Sequence, residues 1–319
     1  MPYRYKNRYL VSSGSGVSKK EVRKWMWNKL LTKRTHIPRK LIIGQKPDLE
    51  LIQSQSDQSR ITWVGHATFL LQHAKCNILT DPHFSKRASP VSWLGPKRHQ
   101  PPGIDLKSLP VIDLVLLSHN HYDHLDYLTV QYLVKHHNPL FIVPVGVEQW
   151  FYKKTNSKKI ISLSWGESTK FEDLVINFLP VQHWSARSFY DTCDTLWGSF
   201  MLQGKNNFTF WFSGDLGFSQ DIVDIAKLFP HISIATIPIG AYQPQFIMKQ
   251  SHLNPAEAVR VFNILKPKLA IAHHWGTFER LTDEPLDEPP ILLKQELAKQ
   301  SIDQNEFIVM KHGQTVVTS

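Results

Sequence analysis

His119-Asn120-His121-Tyr122-Asp123-His124 follows directly on the apolar run 112–117, so four donor side chains leave the end of one β-rich segment on a single short loop. Histidine and aspartate at these four positions would arise by chance about 0.002 times in a chain of this length and composition, so the pattern calls for a chemical reason. In an extended segment alternate side chains point the same way. His119 and His121 therefore share one direction, while Asp123 and His124 turn to a neighbouring position. One loop of this kind can serve two metal ions.

Two ions need further donors, and three later segments end in the same manner. Gln182-His183-Trp184 follows LVINFLP, Gly214-Asp215-Leu216 follows FTFWFS, and His273-His274-Trp275-Gly276 follows LKPKLAIA. Any one of these is by itself an ordinary polar residue at a strand end. Their joint recurrence behind the first loop makes them candidate ligands. His66, in Gly65-His66-Ala67, is expected in mid-strand as a core residue or one that orients a ligand, not as a ligand itself.

Outward from these motifs, residues 60–319 alternate short β-rich runs (ITWVGHATFLLQ, CNILTD, DLVLLSH, LFIVPV, LVINFLP, TLWGSFML, NFTFWFSGD, ISIATIPIG) with helical periodicity near 125–137, 219–229, 255–265 and 291–299. The order predicts an α/β architecture of two sheets packed face to face with helices outside, in one catalytic domain over 56–319. Residues 1–55 form a basic N-terminal extension. Within it Val22, Trp25, Met26 and Leu30 fall on one helical face, ringed by Lys19, Lys20, Arg23, Lys24 and Lys33. Such an amphipathic helix suits packing on the main domain and a lipid interface equally well.

With 319 residues, 42% hydrophobic and 20% charged, the chain can bury a sizeable core, and disorder, collagen-like repeats and coiled coil are excluded. Cys76 and Cys193 are too few for a disulfide framework, and no apolar run approaches the roughly 18 to 20 residues that span a bilayer. The opening MPYRYKNRYLVSSGSG lacks the apolar stretch expected of a secretory signal. A soluble (cytoplasmic) or peripheral membrane protein in a reducing compartment is the expectation. A formal charge of +10 favours an anionic partner, and sixteen histidines favour metal chemistry.

The motifs resemble the metallo-β-lactamase superfamily, in which an HxHxDH loop, a later His, a bridging Asp and a final His stand in the same order. Within it the chain is similar to the N-acylphosphatidylethanolamine-hydrolysing phospholipase D family, through TWVGHAT, LTDPHFSKRASPVSWLGPKR, SHNHYDHLDY, QHW, LWGS, IPIGAY, EAV and HWGTF, from about residue 60 to the C-terminus. The resemblance implies a four-layer αββα sandwich and two zinc ions. One ion falls to His119, His121 and His183, the other to Asp123, His124 and His274, with Asp215 bridging. His274 is chosen over His273 because it directly precedes Trp275 in HWGTF. Asp123, Asp215 and His252 take the catalytic roles, and His252, Ser251 and Trp275 face substrate. Ser251 departs from the Gln that animal members carry there, the residue that meets the amide.

Two zinc ions, two carboxylates and a bridging hydroxide leave a site of about +1, hospitable to a phosphodiester anion. The expected reaction is hydrolysis of N-acylphosphatidylethanolamine to N-acylethanolamine and phosphatidic acid by a zinc phosphodiesterase of phospholipase D type. The rival with the same site is a zinc hydrolase acting on a cyclic nucleotide, RNA or a lactone. Another rival, an iron redox protein or metal-free scaffold, fits poorly because His121 is not Glu and every donor is present. The expected partners are a phospholipid substrate and an anionic membrane surface. No nucleic acid is expected, since no RNP-type aromatic motif accompanies the site, and Lys97 and Arg98 lie instead beside Trp93 and Leu94. The family admits a homodimer.

Overall fold

Strand side chains alternate between two cores, and that alternation builds the layers. In the run Leu114, Val115, Leu116, Leu117, the residues Leu114 and Leu116 join one buried cluster while Val115 and Leu117 join another. Ile61, Trp63, Phe69, Leu71 and Ile78 go with the first pair, and Val64, Leu70 and Leu79 with the second. A sheet apolar on both faces must be covered on both.

The computed structural model describes residues 44–318 except Gln55, Asp57 and Phe189, and in the extension only Lys20, Lys24, Trp25, Trp27 and the backbone ribbon Arg4–Tyr5 with Arg8–Tyr9. One seven-stranded sheet runs Thr315–Thr318, Ser59–Gly65, Thr68–His73, Cys76–Thr80, Leu114–Leu116, Leu140–Pro144, Ile160–Leu163. The other runs Ser168–Phe171, Leu174–Leu179, Ser199–Gln203, Thr209–Phe212, Ile234–Pro238, Leu269–His273, Phe307–Ile308. The helices Tyr127–His136 and Glu148–Lys154 supply Val130, Leu133 and Phe151 to the outer core of the first sheet. Gln220–Leu228, Pro255–Leu265 and Glu288–Lys299 cover the second. This is the αββα sandwich.

Strand direction decides where the site lies. From Cys76–Thr80 to Ile160–Leu163 the first sheet is parallel, as is the second from Thr209–Phe212 to Phe307–Ile308. Leu174–Leu179 reaches Thr209–Phe212 through two antiparallel pairings, so it points the same way. Every donor segment therefore leaves a carboxyl end at one edge of its sheet. Gly214 lets the two edges approach: its φ is +59°, and a Cβ there would meet Ser118 Cβ at 2.6 Å.

The expectation for His66 needs correction. The segment 61–72 is two strands, Ser59–Gly65 and Thr68–His73, and His66 sits in the turn between them with φ +54°. Gly65, at φ +138° and beside a break in register, permits the reversal. Trp63 Nε1 donates to the His66 carbonyl at 3.0 Å, and the His66 amide donates to Thr277 Oγ1 at 2.8 Å, which pins the turn.

Of the basic helix face, Val22, Met26 and Leu30 lie outside the described residues. The Trp25 indole donates to the Asp283 carboxylate at 2.5 Å. Packing onto the main domain is under way by the short helix Leu49–Gln53, whose Ile52 is buried in the outer core of the first sheet. No helix among the described residues is long and apolar enough to cross a membrane.

Candidate metal centre

The carboxyl-end loops bring seven predicted donors together, and they fall into two sets. In the first, Asp123 Oδ2, His124 Nε2 and His274 Nε2 lie together, with Asp215 Oδ2 beside the two imidazoles. The two imidazole nitrogens are 3.3 Å apart, each lies 3.6 Å from Asp123 Oδ2, and they lie 3.1 and 3.0 Å from Asp215 Oδ2. Bonds of about 2.0 to 2.2 Å to a central ion give tetrahedral edges of about 3.3 to 3.6 Å. The second set is His119 Nε2, His121 Nδ1 and His183 Nε2, with nitrogen separations of 2.8 and 3.4 Å about His121. Asp215 Oδ2 lies 4.0 and 3.8 Å from His119 and His183. The same carboxylate oxygen therefore faces both sets.

The donor chemistry fits a cation. The donor imidazole nitrogens of His119, His121 and His183, and those of His124 and His274, converge on one another where no proton could satisfy all of them. Burial, together with the neighbouring imidazoles, holds His119 and His183 well below the usual histidine range, and burial takes His121 down to about 4, so their lone pairs are free to bind. For Asp123 and Asp215 burial pushes the carboxyl up, but the charge on His124 and the imidazole hydrogen bonds outweigh it and keep both ionised. Burial disfavours charge on His124 and His274 as well. The carboxylates win, raising His124 well above the ordinary value and His274 to about 9.

A set of contacts behind the donors fixes their orientation. Asp81, buried after the strand Cys76–Thr80, accepts from His124 Nδ1 at 2.6 Å and from Ser118 Oγ at 2.5 Å. Ser118 Oγ in turn accepts from His119 Nδ1 at 2.8 Å. His183 Nδ1 donates to the Ser251 carbonyl at 2.9 Å, so Ser251 meets the site through its backbone. His66 Nε2 lies 3.0 Å from Asp123 Oδ2, with its ring centroid 4.0 Å from that of His274. The contacts to His119, His124 and His183 each leave the opposite ring nitrogen facing inward.

His252, carried just ahead of the capped helix Pro255–Leu265, has its Nδ1 buried, unpartnered and 3.8 Å from Asp215 Oδ2. Burial lowers its pKa to about 4. His273 stays apart, bonded to Ser213 Oγ at 3.0 Å. Trp275 is buried against Trp63, at 5.4 Å between rings, and reaches the site as a wall of a cavity shared with His66, His274 and Phe278. Trp184, 39% exposed, stands 4.4 Å from the His121 ring.

Sequence reasoning passed over Asp81, Ser118 and Arg187. Asp81 stands in the quoted LTDP run, which was its signal. Arg187 had none: its guanidinium donates to the Asn120 and Leu125 carbonyls at 2.8 and 2.9 Å and lies over the Tyr122 ring at 3.9 Å, so it grips the donor loop at both ends.

Two face-to-face sheets carrying a paired His/Asp donor set at their carboxyl ends define a class, and the comparisons agree with it. Residues 76–275 match the beta-lactamase superfamily domain, and the chain belongs to the metallo-β-lactamase superfamily as a metal-dependent hydrolase. Within it the chain is 35% identical over 264 residues to N-acyl-phosphatidylethanolamine-hydrolyzing phospholipase D 1 of Caenorhabditis elegans, covering 79% of this chain and 74% of that protein. It is 34% identical over 223 residues to the mitochondrial N-acyl-phosphatidylethanolamine-hydrolyzing phospholipase D of Saccharomyces cerevisiae, covering 68% and 47%. In fold it is similar to the metallo hydrolase Igni18 of Ignicoccus hospitalis, with TM-score 0.62, 19% identity and coverage of 82% and 99%.

Proposed function

We propose that the protein is a dinuclear zinc phosphodiesterase of phospholipase D type that hydrolyses N-acylphosphatidylethanolamine to N-acylethanolamine and phosphatidic acid. The observation that carries the reading is the single oxygen, Asp215 Oδ2, facing both donor sets. The likeness to the worm and yeast enzymes supports the substrate.

In this reading His119, His121 and His183 hold one ion, Asp123, His124 and His274 the other, and Asp215 both. When bound, two divalent ions would supply Lewis acidity toward the phosphoryl oxygens and lower the pKa of water. The chain's own residues do the rest. Asp123, held at Oδ2 by His66, orients the attacking water and accepts its proton. His252, neutral and with a free buried nitrogen, offers a hydrogen bond where the leaving oxygen departs. The cavity lined by His66, His274, Trp275, Thr277, Phe278 and Arg280 shields the reacting group.

The test is product analysis after incubating zinc-loaded protein with N-acylphosphatidylethanolamine in mixed micelles, beside Asp215→Asn. Equimolar phosphatidic acid and N-acylethanolamine, absent from the variant, are expected. Neither product from protein carrying its metal would overturn the lipid assignment and leave other phosphodiesters and lactones to be assayed.

A further inference from the structure

Between Lys86 and Arg98 the chain forms a hairpin whose tip is the most exposed apolar stretch near the site. Val91, Trp93 and Leu94 are 36%, 73% and 53% exposed, and every residue from Pro90 to Gly95 faces outward. Exposure of this kind opposes the hydrophobic effect unless something covers it. The tip is held rigid. The Ala88 amide donates to the Pro96 carbonyl at 3.0 Å, the Arg98 amide to the Lys86 carbonyl at 2.8 Å, and Arg87 spans the turn, donating to the Ser92 carbonyl at 3.1 Å and the Gly95 carbonyl at 2.7 Å. The Ser92 and Gly95 carbonyls are thus satisfied from within, which lowers the cost of moving the tip into a water-poor layer.

Charge completes the pattern. Lys86, Arg87 and Lys97 ring the base of the tip, and none of them pairs with a carboxylate among the described residues. An apolar wedge with a basic collar matches the order of an anionic bilayer seen from water, phosphates first and acyl chains behind. The hairpin also adjoins the metal centre. Lys97–Arg98 pairs with Phe278–Glu279, Arg98 Cζ lies 4.8 Å from the Phe278 ring, and that ring meets His66 at 5.0 Å. Phe278 lines the cavity that also reaches His274.

We propose that the hairpin 86–98 docks the mouth of the site on an anionic lipid surface, with Trp93 and Leu94 entering the interface and the exposed Lys86 and Lys97 meeting the phosphates. This names the partner of the site proposed above. Its test reads binding without turnover, so it can fail or succeed independently of the substrate assignment.

The experiment is co-sedimentation of the full zinc-loaded chain with vesicles of phosphatidylcholine alone or with one quarter phosphatidylserine. The parent is expected to bind the anionic vesicles, and Trp93→Ala/Leu94→Ala to lose at least about tenfold in partitioning. Lys86→Glu/Lys97→Glu should lose the preference for the anionic vesicles. Both should keep their metal content and their hydrolysis of a soluble phosphodiester. Quenching by brominated lipid, present in the parent and reduced in Trp93→Phe, checks the tip without removing its bulk. Equal vesicle binding by parent and tip variant would overturn the proposal. So would a tip variant that shifts a dimer to monomer while binding vesicles unchanged, which would make the occupant a second copy of the chain.

Discussion

Asp81 Oδ2 lies 2.6 Å from His124 Nδ1, and through Ser118 Oγ the same carboxylate reaches His119 Nδ1. One buried acid therefore sets the ring orientation of a ligand in each donor set. Asp81→Asn should weaken binding of both ions by about 10- to 100-fold. Ser118→Ala should weaken mainly the set containing His119. Competition with a chromophoric chelator reads both, and equal effects of the two variants on the two sets would refute the shared anchor.

Arg187 spans the donor loop from the Asn120 carbonyl to the Leu125 carbonyl. Arg187→Ala leaves two buried carbonyls without donors, a loss of about 1 to 3 kcal/mol in stability. The expected signature is a change in the ligand-field spectrum of the cobalt-substituted protein at the His119, His121 and His183 set. Arg187→Lys should recover part of it. A spectrum identical to the parent's would show that the loop holds itself.

Binding of metal should release protons. In the metal-free protein the carboxylates raise His274 to about 9, so its ring is protonated at neutral pH, and they raise His124 well above its ordinary value as well. A dication must displace the His274 proton, so its affinity rises with pH up to about 9 and falls as pH drops. Calorimetric titrations in buffers of different ionisation enthalpy measure the release. A binding enthalpy independent of buffer would contradict it.

Burial takes His312 from 6.5 down to about 4, against a raising contribution from the Pro101 carbonyl. Between those values the unfolded chain binds the proton more readily, so this stability is present above pH 6.5 and lost as pH falls toward 4. The loss is about 3 kcal/mol. His312→Asn, which gives up the edge contact with Trp63 at 4.4 Å, should be less stable at pH 7 yet lose less between pH 6.5 and 4. Denaturant unfolding at the two pH values decides it; equal slopes for parent and variant would clear His312 of the effect.

The fold was legible where local pattern and global packing agree. The strand Leu114–Leu116 announces itself by an apolar run, and Pro255–Leu265 by Asn254-Pro255-Ala256-Glu257, which forms a capping box with Glu257 N donating to Asn254 Oδ1 at 2.9 Å. His66 was misplaced because ITWVGHATFLLQ alternates without a visible break. The turn there depends on Gly65 and on Thr277 from far along the chain. The clustering of the candidate donors was legible because each stands within a few residues of a strand end.

By itself the sequence determined the donor types, their order and their attachment to strand ends, since covalent spacing and the two-residue period of a strand are local properties. Its alternation of strand and helix patterns also pointed to two face-to-face sheets with helices outside, and the αββα class followed from the family resemblance of its motifs. Only the tertiary structure decided that Asp215 Oδ2 faces both donor sets, that Asp81 and Ser118 steer two of the histidines, and that a basic apolar hairpin borders the same cavity. Those relations join residues tens to hundreds of positions apart. They arise when two sheets pack face to face and bring their carboxyl-end loops together, which no local pattern encodes.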